Sequence, residues 1–322
     1  MPKATIIVPT FNTQRKLLFQ CIDSIKNQTF EDFECLVIDD GSTDHTVDFL
    51  KRITENDSRF KIIEISHSGL SIARNEGIKL ATSNIIFHVD SDDEIKLELL
   101  QHVISFMEEN DLEMVLFDAE VVPFGRNPHR FLAEAKYFER KHDYGINDGQ
   151  SMYYDLCRNK SMIYSSFLYA IKKNCIKSSF YPRMRAQDEL NTTLNMLQLD
   201  RVGHLNEKLY IKKSHSDSVS YQKRTALYYW SIITAALEIC KFINNNQLED
   251  DVKALLEIAL KKKYLLIANL RRNGIYFSKS WLSELTREEQ ELMLLAFRKG
   301  KYKERPFYND IQTLYQEYTQ IM

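Results

Sequence analysis

The chain has 322 residues, 44% hydrophobic and 27% charged, with a formal net charge of −2. That composition suits a globular protein with ample core material, in one large domain or two smaller ones, and the near-neutral balance excludes a general electrostatic grip on nucleic acid. Five scattered cysteines (Cys21, Cys35, Cys157, Cys175 and Cys240) with no Cys-x-x-Cys pair exclude both a disulfide framework and a structural zinc site.

From the start to about Asp118, strand-like and helix-like patterns alternate. A strand is predicted over 5–8, a helix over 15–28, a strand over 35–38, a helix over 43–54 and a strand over 61–65. A helix over 70–81, a strand over 85–89, a helix over 97–110 and a strand over 114–117 complete the run. These strands are apolar throughout rather than alternating, which implies burial on both faces. The predicted fold class is α/β, a mostly parallel Rossmann-like sheet with flanking helices.

Residues 119–221 are less regular and rich in aromatics, among them Tyr153, Tyr154, Tyr164, Phe167, Tyr169, Phe180 and Tyr181. Most aromatic area is core material, so a second layer of core is the plainer reading and a binding surface the sharper one. After Tyr221 the pattern turns helical. Leu227, Trp230, Ile233, Ala236, Leu237 and Cys240 recur at spacings of three and four, and helices are expected over 248–270 and 288–297. Lys261, Lys262, Lys263, Arg271 and Arg272 form a basic cluster there, either a solvated helix face or an anchor for anionic lipid or a partner. The expected division is a domain over 1–221, in parts 1–118 and 119–221, and a helical region over 222–322 that serves position, membrane contact or self-association.

Met1-Pro2-Lys3 runs straight into the first strand, so no signal peptide is expected. The best candidate for a membrane span, 226–237, is short and interrupted by Ser231 and Thr234, well below the ~18 apolar residues of a span. A cytoplasmic location is therefore expected, with peripheral contact at the inner face of the membrane left open.

The chemistry concentrates at strand ends. Asp90-Ser91-Asp92-Asp93 follows the apolar run 85–89. Carboxylates at the carboxyl end of a buried strand meet solvent in the crevice where open α/β sheets bind ligands. Oxygen ligands suit a hard divalent cation, Mg²⁺ or Mn²⁺, which typically also holds substrate phosphates. Complementing the next helix dipole explains Asp93 but not an Asp-x-Asp that begins on the strand. The chain has neither Gly-x-Gly-x-x-Gly nor Gly-x-x-x-x-Gly-Lys, so phosphate must be held another way, and a metal is the obvious candidate.

Pro9-Thr10-Phe11-Asn12 ends the first strand, and Pro9, lacking an amide donor, is expected to stop pairing there. Asp39-Asp40-Gly41-Ser42-Thr43-Asp44 ends the second. Ser42 or Thr43 there can cap a helix, while an adjacent carboxylate can accept the imide hydrogen of a uracil or the hydroxyls of a ribose. Arg74, in Arg74-Asn75-Glu76-Gly77, is either a surface cation or a forked contact to a nucleotide or to the neighbouring acids.

Taken in order over Thr5 to Asp93, these four segments closely resemble the nucleotide-sugar domain of family-two glycosyltransferases. The resemblance implies the A-type glycosyltransferase fold, an inverting mechanism, a UDP-sugar donor, a saccharide acceptor and a divalent cation. By that likeness Pro9, Asn12, Asp40 and Arg74 hold the nucleotide, with Thr10, Asp39 and Ser91 beside them. Asp90 contacts ribose or metal, and Asp92 ligates the metal. Ala186-Gln187-Asp188-Glu189 stands where the family's Glu-Asp pair supplies the base, with Gln187 replacing the usual Glu. Asp188 is the expected base, and Glu189 follows should the register slip by one. Lys213 to Ser220 resembles the family's His-x-x-Ser segment, which puts His215 near metal and diphosphate. Around Ser165-Ser166-Phe167-Leu168 the chain lacks the Trp-Asn-Lys-like pattern of many relatives. A bacterial surface glycan, in a capsule or cell wall, is the product that the resemblance suggests.

Two rivals stand beside this reading. A nucleotidyltransferase would show a glycine- and lysine-rich phosphate segment near the first strand, and none is present. A catalytically silent binding or assembly module would have no need of Asp90, Asp92 and Asp188 together.

Overall fold

The computed structural model describes residues 1–124, 134–182, 184, 187–215, 225–260, 285–287 and 290. The alternation comes first: β1 (Ala4–Thr10), α1 (Arg15–Lys26), β2 (Phe33–Asp39), α2 (Thr46–Thr54), β3 (Phe60–Glu64), α3 (Leu70–Leu80) and β4 (Ile85–His88). Then come β5 (Glu94–Ile95), α4 (Leu99–Glu109), β6 (Met114–Pro123), β7 (Ile146–Asn147), α5 (Gly149–Arg158), β8 (Tyr169–Lys172), α6 (Gln187–Met196), β9 (Val202–Ser214) and α7 (Ala226–Asn245). Every strand and helix expected before Asp118 forms, with ends shifted by a few residues. The largest shift is at β6, which runs on to Pro123.

The strands make one sheet in the order β3-β2-β1-β4-β8-β6-β9-β5, with β7 on β9. β3, β2, β1 and β4 are parallel. Beyond them the sheet is mixed: β8 runs antiparallel to β4 and β6, while β9 is parallel to β6 and antiparallel to β5 and β7. Ala4, Ile6 and Val8 of β1 and Cys35 and Val37 of β2 pack in one cluster with Leu18, Ile22 and Ile25 of α1 and Leu100, Val103 and Met107 of α4. The opposite face carries α3. A Cβ on Gly77 would fall 2.4 Å from Ile7 Cγ2, so only glycine allows α3 this approach to β1.

Pro9 does not end pairing. β1 continues in register with β2 through Pro9↔Ile38 and Thr10↔Asp39. Val89 N donates to Ile7 O, so Ile7 and, by strand alternation, Pro9 turn their backbone polar groups toward β4. β4 has ended by then, and the missing amide costs no ladder bond.

The middle aromatics follow the plainer reading in part: Tyr153, Phe167, Tyr169 and Phe180 are buried, while Tyr154, Tyr164 and Tyr181 are half-buried. Contacts divide the chain into one unit of Met1–Pro182 and Asn191–Gln222 and another of Arg183–Leu190 and Lys223–Met322. In the second, α7 is longer than the apolar stretch 226–237 suggested. Among the described residues it is one helix long and apolar enough to cross a membrane, and 72% of its apolar window is buried inside the protein. A further helix covers 250–260, with Val252, Leu256 and Leu260 buried. The rest of the expected helix over 248–270, the helix over 288–297 and the basic cluster from Lys261 to Arg272 lie outside the described residues.

Candidate active site

β1, β2 and β4 end side by side, which gathers the four motifs at the carboxyl edge of the parallel strands. Asn12 has φ 48°, a left-handed conformation that asparagine tolerates better than most residues. Its side chain and backbone together clasp the second motif: Thr43 N donates to Asn12 Oδ1 at 2.8 Å, and the Asn12 backbone N donates to Ser42 Oγ at 2.9 Å. The exposed Phe11 ring stacks on His67 with centroids 4.2 Å apart.

The two adjacent aspartates differ in what they hold. Asp40 receives Ser68 N at 2.6 Å and Gly69 N at 2.9 Å and pairs with His67 Nδ1 at 2.9 Å, which fixes the turn into α3. Asp39 is buried. Its Oδ2 takes Ser42 N at 2.9 Å, while Oδ1 has no hydrogen-bond partner among the described residues.

Arg74 is not a surface cation. It is 1% exposed, donates from Nη2 to Asp90 Oδ1 at 2.9 Å, and lies 5.2 Å from the centre of the Phe180 ring. Burial and the Arg74 charge hold the neighbouring His88 well below the ordinary histidine range, so that imidazole stays neutral. Hydroxyls tie the first motif to the acidic loop: Thr10 Oγ1 lies 2.9 Å from Thr13 Oγ1, which lies 2.7 Å from Ser91 Oγ.

Asp90, Asp92 and Asp93 each place one oxygen within 4.8 Å of the others. The loop is a tight turn, with Asp93 N donating to Asp90 O. β9 supplies its supports. Tyr210 OH bridges Asp90 N at 3.1 Å and Asp93 Oδ2 at 2.9 Å, and Lys212 Nζ reaches both Asp93 oxygens, at 3.1 and 3.0 Å. Burial works against charge on Lys212, but Asp93, Asp92 and Asp90 around it raise its pKa above the ordinary lysine value. Burial, with Asp92 and Asp90 beside it, raises Asp93 to about 7 against the pull of Lys212 and Lys213 N. Four donor contacts converge on that carboxylate, so we read the pair as ionised.

One residue past β9, His215 Nε2 lies 2.8 Å from Asp92 Oδ2. That bond pushes His215 up. Asp92 feels burial pushing it up, but Lys212 and His215 outweigh this and hold it at about 2. The oxygen-rich donor set of Asp90, Asp92 and His215 fits a hard divalent cation.

The structure thus brings Pro9, Thr10, Asn12, Asp39, Asp40, Arg74, Asp90, Ser91, Asp92 and His215 to one edge. Asp188 stands in the first turn of α6, within the segment that groups with the second unit. The later part of α6 is pinned by amides: Tyr169 OH donates to Asn191 Oδ1 at 2.8 Å, and Lys177 N and Ser178 N both donate to Asn195 Oδ1 at 2.8 Å. Sequence reasoning missed Thr13, Tyr210 and Lys212. The alternation Tyr210-Ile211-Lys212 was the available signal for the last two.

Residues 5–169 match the family model described as Glycosyl transferase family 2. The chain belongs to this family. This family-2 chain is 27% identical over 271 residues to Glycosyltransferase GlyA of Streptococcus pneumoniae serotype 4, a match covering 83% of the chain and 35% of GlyA. It is 36% identical over 118 residues to the poly(ribitol-phosphate) beta-glucosyltransferase of Bacillus spizizenii, covering 35% of the chain and 18% of that protein. The chain therefore spans only about a third of GlyA and less of the Bacillus protein. The crystal structure of S. aureus TarS 1-349 in complex with UDP-GlcNAc superposes with a TM-score of 0.68 at 20% identity, covering 99% of this chain and 92% of that one. At that identity the likeness speaks for the fold, which is the one the sequence resemblance implied.

Proposed function

We propose that the chain is an inverting glycosyltransferase that moves a sugar from a UDP-sugar to a saccharide hydroxyl with the help of Mn²⁺ or Mg²⁺. The observation that carries this reading is the carboxyl edge itself, where Asp90 and Asp92 follow β4 and, across β1, buried Asp39 ends β2 with an Oδ1 that has no hydrogen-bond partner among the described residues. A buried acceptor without a donor is costly, and the imide N–H of a uracil would satisfy it. Phe11 offers an exposed ring beside the same motif, and Asn12, Asp40 and Arg74 hold the turns that shape it. The UDP-GlcNAc bound by TarS supports a UDP-sugar donor. The name of the Bacillus relative supports a cell-wall polymer among the surface glycans that could accept the sugar.

Asp90, Asp92 and His215 would hold the cation, which supplies Lewis-acid neutralisation of the charge on the departing diphosphate. Asp188 takes the proton of the acceptor hydroxyl as its oxygen bonds to the anomeric carbon. The bond from that carbon to the diphosphate oxygen breaks in the same displacement, and the configuration inverts.

The test is UDP release from a panel of UDP-sugars with saccharide acceptors. Chelation is expected to stop release and Mn²⁺ to restore it. Asp188→Asn is expected to lower turnover by ~10²–10⁴-fold while UDP still binds. Near-normal turnover of that variant beside a dead Glu189→Gln would move the base by one residue. No release from any UDP-sugar would sink the proposal.

A further inference from the structure

Three carboxylates stand within reach of one cation, yet one of them is already taken. Asp93 is fully buried, and its two oxygens receive Tyr210 OH, Lys213 N and two contacts from Lys212 Nζ, at 2.8–3.1 Å. A carboxylate has about four lone-pair sites, so this one is saturated. Lys212 is itself held in place. Its nitrogen lies 5.7 Å from the centre of the Phe167 ring, and that ring stacks on Tyr210 at 4.6 Å.

Arg74 adds a second fixed cation, bound to Asp90. Among the described residues, the three carboxylates stand against two buried cations, Arg74 and Lys212, so much of the loop's negative charge is already offset. A divalent ion is drawn to such a loop far less strongly than to three uncompensated carboxylates. A nucleoside diphosphate would bring the missing negative charge with it.

Resting on the reading of this loop as a cation site, we propose that Lys212 is its resident counter-cation. It withholds Asp93 from the divalent ion and makes ion binding depend on the nucleoside diphosphate. A lysine that merely held the fold would change stability on removal and leave the charge-dependence of ion binding where it was.

The experiment is Mn²⁺ titration of the 322-residue chain at pH 8, followed by loss of the electron paramagnetic resonance signal of the aqueous ion, with and without UDP. The unaltered chain is expected to bind Mn²⁺ weakly alone and ~10-fold or more tightly with UDP. Lys212→Met adds one negative charge to the loop, so binding without UDP should tighten by ~10-fold or more and the UDP effect should shrink. Asp93→Asn should weaken binding.

The double variant Lys212→Met/Asp93→Asn restores the charge count and should recover the unaltered chain's response, although the Asp93 carboxylate is gone. That recovery could not occur if Asp93 were itself a ligand. The double variant also avoids an unpaired buried charge, so it decides the matter if Lys212→Met alone fails to fold. A double variant as weak as Asp93→Asn, a folded Lys212→Met that binds like the unaltered chain, or equal Mn²⁺ affinity with and without UDP overturns this inference alone. Absence of Mn²⁺ binding in every form, while UDP itself binds, overturns the cation reading and this inference with it.

Discussion

At the amino edge of the parallel strands, Glu34 is 4% exposed and every contact it needs is present. Its Oε1 receives Thr5 Oγ1 at 2.9 Å and both Thr82 N and Thr82 Oγ1 at 2.7 Å, and its Oε2 receives Lys61 Nζ at 2.8 Å. Burial pushes Glu34 up, but Lys61 and the Thr82 and Thr5 donors win and hold it at about 2. At the carboxyl edge Asp93 is closed in the same manner, while Asp92 has His215 as its one side-chain hydrogen-bond partner among the described residues and stays a quarter exposed. The parallel strands thus bury carboxylates at both ends, and among the described residues Glu34 is saturated while Asp39 and Asp92 keep acceptor capacity for a ligand. Saturation, more than burial, separates an acid that holds the fold from an acid that awaits chemistry.

The largest effect that could break this contrast is at Asp92. Asp92→Ala is expected to cost ~10³-fold in sugar transfer, as loss of a charge-stabilising group at the reacting centre commonly does. Its melting temperature should fall modestly, because the interactions with Lys212 and His215 that hold Asp92 at about 2 are lost with the carboxylate. Transfer at the normal rate would mean that the open end is no more functional than the closed one.

The closed end is tested by Glu34→Ala. A carboxyl held at about 2 instead of its ordinary value is worth ~3 kcal/mol of folding stability, and turnover per folded molecule should be unchanged. Because the folded value is depressed, this stability is present above the unfolded value and is lost as pH falls toward 2. Urea unfolding of both proteins across pH 7 to 3 should therefore show curves that converge on acidification (roughly, below pH 4). Curves that stay parallel would show that Glu34 does not carry the charge.

Smallest is Lys61→Met. The lysine side chain is 55% exposed and three neutral donors remain on Glu34, so a loss of ~1 kcal/mol or less is expected in the same unfolding assay. A loss as large as that of Glu34→Ala would make the ion pair, and not saturation by neutral donors, the source of the effect.

What the sequence disclosed follows from the same physics. Strands such as Ile6–Val8 and Leu36–Ile38 are buried on both faces, so their apolar runs were plain to read. β9 was not, because Asn206, Glu207 and Lys208 interrupt any apolar run and its burial alternates. Lysine in a strand ordinarily signals solvent, and Lys212 looks buried only once Asp93, 119 residues earlier, is placed against it. Arg74 posed the same difficulty, since its burial depends on the glycine at 77 that lets α3 settle on β1. Pro9 misled because which way a strand residue turns its amide is a matter of register, which local composition does not reveal.

The bridge from Tyr210 to Asp93 spans 117 residues and that from Lys212 spans 119. During synthesis, Asp90, Asp92 and Asp93 are all made long before the strand that neutralises one of them. Until β9 emerges, three carboxylates must share a turn with Arg74 as the one buried counter-charge described there. Closing so long a loop is slow relative to local contacts, so the acidic turn is expected to gain its supports later than the locally connected strands around it. A chain interrupted before Tyr210 would carry every acid of the site and still lack its architecture.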